Sequence, residues 1–146
     1  MNRLEGKIAL VTGAGSGIGR GTAIMFAKEG AKVIVSSRSE NCKETEKMIR
    51  EAGGEAYHFI CDVTKKDQIQ ALVKFAMEKY GRIDVLSNNA GVLVHKPFLE
   101  HNDADLQMLF ETNYRSYIWT MQEVIPIMLN QGKGSIINVA SISAQK

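Results

Sequence analysis

The sequence predicts an α/β protein built on a doubly wound parallel sheet, and three observations carry that prediction. Short continuous apolar runs alternate along the chain with longer stretches of helical spacing, the pattern of successive βαβ units. The runs "KIALV", "KVIVS" and "SIINVA" lack an in/out alternation, as strands covered by helices on both faces do. The right-handed crossover rule then leaves few topologies, and the favoured one reverses direction between the first and fourth strands, giving the order 3-2-1-4-5.

Strands are read at residues 7–12, 32–36, 55–61, 83–87 and 135–140, and helices at 17–29, 40–52, 65–80 and 103–131. The first helix opens on a glycine-rich loop and ends where Gly30 follows "AIMFAKE" as a left-handed C-cap; Gly81 ends the third helix after "FAMEKY" in the same way. Asn102 or Asp103 caps the long fourth helix, in which Pro126 predicts a kink or an early loosening of the last turns. Asn113, in "FETNYRSY", is a poor helix former in the middle of that helix, which points to a specific task.

At 146 residues, 45% hydrophobic and 23% charged with two prolines, the composition is that of one globular domain with a buried core. The net charge of +2 comes from interspersed acids and bases, which argues against nucleic acid and anionic membrane as partners; Lys65 and Lys66 read as a solvated helix start. Cys42 and Cys61 show neither metal nor disulfide spacing and fit a reducing compartment. The N-terminus lacks a signal-peptide pattern, and the longest apolar run, 124–129, is far short of the ~20 residues of a membrane span. A soluble, cytoplasmic protein is expected. His95 and His101 read as surface or rim histidines, His58 as locally satisfied, and no metal site is expected.

The loop "TGAGSGIG", residues 12–19, lies between strand and helix. A helix N-terminus offers unpaired N–H groups to an anion, and glycines let a pyrophosphate approach the backbone. Its glycines, Gly13, Gly15, Gly17 and Gly19, follow T-G-x-x-x-G-x-G rather than G-x-G-x-x-G, which makes a wider turn.

With "DVLSNNAG" at 84–91 in register, this loop resembles the short-chain dehydrogenase/reductase family, and the resemblance extends over the chain through Asp62, Asn113 and Ser141. It implies a Rossmann-type fold and a dinucleotide held by Gly13, Ser16, Gly17, Ile18 and Gly19. At the end of strand two no acid stands at Ser36, Ser37 or Arg38; an acid there would hold the ribose hydroxyls of NAD, whereas the Arg38 guanidinium, helped by the Ser37 hydroxyl, suits a 2′-phosphate. NADP is therefore expected, with NAD as the alternative because Ser16 stands where many NADP-preferring relatives carry a basic residue. The resemblance further implies that Asp62 contacts the adenine amino group and the Val63 backbone a ring nitrogen; helix capping near residue 65 is the competing reading of Asp62. It implies that Asn89, Ala90 and Gly91 line the cofactor while Asn88 is structural. Ser87 departs mildly from a common valine. Of the catalytic residues it implies, Asn113 supports a proton-relay water and Ser141 hydrogen-bonds the substrate carbonyl oxygen, with Ser143 pointing elsewhere.

In the family the general acid is a tyrosine with a lysine four residues on. The residues four after Tyr57, Tyr80, Tyr114 and Tyr117 are Cys61, Asp84, Ile118 and Met121, so none qualifies. The pair is expected about a dozen residues beyond Ser141, which makes this chain the N-terminal portion of a larger reductase, truncated before the last strands of the sheet. The expected parent moves hydride between NADP(H) and a ketone or secondary alcohol and pairs through the long helix as a homo-oligomer. The alternative is a non-catalytic dinucleotide-binding sensor or partner-binding module. A flavodoxin-like domain is weaker, because it leaves "NNAG" unexplained.

Overall fold

The apolar runs form five parallel strands in a computed structural model that describes residues 2–142. They are β1 (Ile8–Val11), β2 (Lys32–Ser37), β3 (Glu55–Ile60), β4 (Val85–Asn88) and β5 (Ser135–Asn138), hydrogen-bonded in the order β3-β2-β1-β4-β5. The connecting helices are α1 (Gly17–Lys28), α2 (Asn41–Glu51), α3 (Lys66–Tyr80), α4 (Asp103–Phe110) and α5 (Ser116–Gln131). Among the described residues no helix is long and apolar enough to cross a membrane.

Successive strand residues face opposite sides, so each run feeds two cores. On one side Leu10, Ile34 and Leu86 pack with Ile69 and Leu72 of α3 and Val124 of α5; on the other Ala9, Val11, Val33 and Val35 pack with Ala23 of α1 and Ile49 of α2. These side chains are buried, and each large one contributes about 1.5–3 kcal/mol of transfer free energy. Gly30 and Gly81 take the left-handed conformation after α1 and α3 (φ 92° and 69°), and Asn102 caps α4 in a reciprocal pair with Asp105.

Three readings of the sequence are corrected. The long helix is not one uniform α-helix: residues Glu111–Arg115 form a π-turn between α4 and α5, and Asn113 sits inside it. The early loosening offered for the last turns does not occur: α5 continues through Pro126 to Gln131, where Gly132 (φ 75°) ends it. A proline in a helix interior costs ~3 kcal/mol. Burial of Val124 and Met128 on either side and the Gln131 side chain, bonded to both backbone groups of Ile83 (3.0 and 2.9 Å), hold the last turns in place. Those same bonds explain why β4 begins at Val85 rather than at residue 83.

The N-terminal end of β4 carries a second tie. Asp84, 4% exposed, accepts from both Arg82 (Nε 3.0 Å, Nη2 2.5 Å) and the Ile8 amide at 2.9 Å. Burial pushes its carboxyl up, but these donors outweigh it and hold the group below the usual carboxylate range. At the β3 edge the Glu46 carboxylate accepts from the His58 amide at 2.9 Å and pairs with its ring, covering part of an otherwise open strand.

Candidate active site

Parallel strands leave their carboxyl edges to the loops, and there the loops after β1, β2, β3 and β4 enclose a cleft of about 410 Å³. Its floor is the glycine loop. Gly13 has φ 64°, and a Cβ there would lie 2.7 Å from Ala90 Cα. One at Gly19 would overlap the Gly13 carbonyl oxygen and the Asn89 amide. Only hydrogen fits at either place, so the loop is a cradle of bare backbone. Ser16 occupies the N-cap position of α1 with extended backbone but makes no side-chain bond to the helix, and the first turn of α1 carries no acid. The helix N-terminus is thus presented to the cleft uncapped, the arrangement that favours a phosphate. This donor set fits a dinucleotide.

Thr12, a residue that sequence reasoning left without a role, joins the two central strands at this level. Its Oγ1 accepts from the amides of Asn89 and Ala90, each at 3.1 Å, and the Asn89 side chain donates to the carbonyls of Thr12 and Gly13 (3.2 and 3.3 Å). Ala90 and Gly91 continue from there along the cleft wall. Asn88 lies below, fully buried, donating to Asn138 Oδ1 at 3.0 Å.

On the far rim Ser37 spends its hydroxyl proton on the Ser39 carbonyl (2.7 Å) and accepts from the Cys42 amide (3.1 Å) at the start of α2. Arg38 is exposed at the same rim. Asp62 Oδ1 accepts from the amide and hydroxyl of Thr64 (3.0 and 2.8 Å), the turn that leads into α3, while its backbone amide donates to Gln68 Oε1 at 2.7 Å. Val63 and Cys61 line the cleft beside it; burial chiefly, and Asp62 further, push the Cys61 thiol up to about 12.

A second cleft of about 740 Å³ adjoins the first across Ile18, Asn89 and Gly91, and contains both Asn113 and Ser141. Its walls are largely apolar: Leu93, Ile118 and Met121, with Tyr117 donating to the Val139 carbonyl at 3.1 Å. Burial raises the Tyr117 phenol above its ordinary value. The π-turn aims Asn113 at the strand-four loop, where its amide bonds both backbone groups of Val92 at 2.8 Å each. Its observed work is therefore to pin the seam between the clefts. Ser143 lies outside the described residues. Among the described residues no three His, Cys, Asp or Glu side chains group to hold a metal.

The sequence pattern of the short chain dehydrogenase family matches residues 7–146. The 3-oxoacyl-acyl-carrier-protein reductase FabG of Thermotoga maritima is 40% identical over 96% of this chain and 57% of its own length. For the 7alpha-hydroxysteroid dehydrogenase of Escherichia coli K12 the figures are 40%, 98% and 56%. Among solved structures, a 7α-hydroxysteroid dehydrogenase complexed with NADH and 7-oxo glycochenodeoxycholic acid superposes with a TM-score of 0.94 at 39% identity, covering 99% of this chain and 56% of that one. A short-chain type dehydrogenase/reductase from Mycobacterium marinum gives 0.94 at 34% identity, covering 98% and 59%. The chain thus spans little more than half the length of these relatives. With the cradle, the strand order and the matched pattern in agreement, the chain belongs to the short-chain dehydrogenase family.

Proposed function

We propose that the protein is an oxidoreductase that transfers hydride between NADP(H), or alternatively NAD(H), and a ketone or secondary alcohol. The observation that carries this reading is the side-chain-free cradle of Gly13 and Gly19 opening into a second cleft that contains Ser141 and Asn113. The nicotinamide, when bound, supplies the hydride chemistry. The chain's own part is to hold and orient. The glycine loop with Ser16, Gly17 and Ile18 seats the pyrophosphate, Arg38 beside Ser37 meets a 2′-phosphate, Asp62 and Val63 meet the adenine, and Asn89 to Gly91 line the ribose. Ser141 donates its hydroxyl to the substrate carbonyl oxygen. Asn113 holds the loop over which a relay water sits.

The proton for that oxygen needs a positioned acid. We assign it to a Tyr-x-x-x-Lys pair outside residues 1–146, since no tyrosine within them has lysine four positions on. That same count favours a second reading, a non-catalytic dinucleotide-binding module. NADH in the solved 7α-hydroxysteroid dehydrogenase keeps NAD(H) in view as the alternative cofactor. Leu106, Phe110, Tyr114 and Ile118, exposed four residues apart along the long helix, support self-association through that helix. The two buried, unpaired cysteines support a cytoplasmic setting.

The test is titration with NADPH and with NADH, followed by carbonyl-dependent oxidation of whichever binds. NADPH is expected to bind about tenfold more tightly, one charge-assisted contact at Arg38 being worth ~1.4 kcal/mol or more. Binding without turnover by the complete gene product would select the non-catalytic module, and binding of neither nucleotide would overturn both readings.

A further inference from the structure

Behind the glycine loop, away from the cleft, lies a group that neither the motif nor the proposed chemistry uses. Arg20, one turn into α1, is half-buried and donates to the Gly15 carbonyl at 2.5 Å and to Thr45 Oγ1 at 3.1 Å. Thr45, fully buried on α2, passes its own proton to the Ala14 carbonyl at 2.7 Å. Two consecutive loop carbonyls are thereby drawn onto one guanidinium and one hydroxyl. On the same side the loop is pressed against the β2–α2 turn: a Cβ at Gly15 would lie 2.8 Å from Ser37 Oγ and 2.9 Å from Asn41 Cβ. Arg20 itself has no carboxylate within ion-pair distance among the described residues; both of its acceptors are neutral. A half-buried cation without a counter-charge is costly unless something nearby uses it.

We propose that Arg20 and Thr45 form a brace that presets the loop as an anion seat. The brace fixes the path of residues 14 and 15, and the unbalanced guanidinium charge favours a pyrophosphate that it never touches. Arg20 is on this account a positioning residue, and the proposal rests on the dinucleotide reading above. Holding a loop in its bound shape before the ligand arrives raises affinity by removing the cost of ordering it. The charge adds to the helix N-terminus, which has no side-chain cap bond and no first-turn acid to compete for the phosphate.

The experiment compares ADP, whose phosphates reach the loop, with adenosine, which has none, by calorimetric titration of the full chain and of Arg20→Met, Arg20→Lys and Thr45→Val. Arg20→Met is expected to weaken ADP about tenfold, through loss of the preset loop path and of the nearby positive charge, and to leave adenosine within about twofold. Arg20→Lys, which keeps the charge but lacks the fork, is expected to fall between. Thr45→Val keeps the charge, so weakening of ADP there shows that the geometry matters as well. Equal weakening of ADP and adenosine, or weakening of neither, overturns the brace. Melting curves check folding, and should Arg20→Met fail to fold, Arg20→Lys and Thr45→Val still decide the matter. If the unaltered protein binds no ADP, the dinucleotide reading fails first and the brace with it, whereas ADP binding that all variants retain refutes the brace alone.

Discussion

The two ends of β4 are tied by the same neighbours, β1 on one side and the long helix on the other, yet by different chemistry. At the N-terminal end an ionised side chain does the work: Asp84 joins Arg82 to the Ile8 amide, and Gln131 clamps Ile83. At the C-terminal end the ties are neutral: Thr12 holds the amides of Asn89 and Ala90, and Asn113 clamps Val92. A carboxylate at the upper end would repel a phosphate seated in the cradle, whereas the lower end lines neither cleft. The contrast teaches that both ends of the strand are tied for stability, but that charge is kept to the end away from the two clefts.

Breaking the upper end at its tightest point has the largest expected effect. Gly19→Val forces a branched side chain into the Gly13 carbonyl and the Asn89 amide, and is expected to weaken nucleotide binding by on the order of a hundredfold, ~2.8 kcal/mol, measured by fluorescence titration. Thr12→Val, nearly isosteric, leaves the amides of Asn89 and Ala90 without their acceptor and is expected to cost about 2 kcal/mol, seen as a lower urea midpoint together with weaker binding.

The lower end answers differently. Asp84→Asn is expected to cost about 1–2 kcal/mol while nucleotide affinity stays unchanged, and to alter the acid limb. Because the folded carboxyl lies below its unfolded value of about 3.9, its contribution is complete above that pH and is lost as pH falls through the folded value. The variant's stability should therefore decline less steeply below pH ~4 than that of the unaltered protein, in urea melts taken across that range. The smallest change is expected of Asn113→Ala, about 1 kcal/mol, with a hydrogen-exchange gain confined to the Val92 segment.

The strand order and the cradle were legible because each depends on local patterns: unbroken apolar runs for buried strands, and glycines at Gly13, Gly17 and Gly19 between a strand and a helix. What escaped depends on partners far apart in sequence. Nothing near Arg20 announces Thr45, which lies on the next helix, and nothing near Gln131 announces Ile83. Asn113 signalled a task by its poor helix propensity, but the π-turn that delivers it to Val92 is a register change with no compositional mark. Pro126 does not end α5, because propensity is outweighed where Val124 and Met128 are buried around it. For Ser37 the hydroxyl was read as available, whereas the start of α2 takes it up.

The pairing of β1 also has a consequence in time. On one side it meets β2, the next strand to be made, but its other side waits for β4, and Asp84 follows Ile8 by 76 residues. At a ribosomal pace of 5–20 residues per second that is a wait of about 4–15 s. During it the inner edge of β1 has no partner, and Thr12 has no amides to receive. The glycine loop therefore lacks the Asn89 and Ala90 backbone that packs against it until "NNAG" has emerged, so the cradle takes its final shape only after β4 is made.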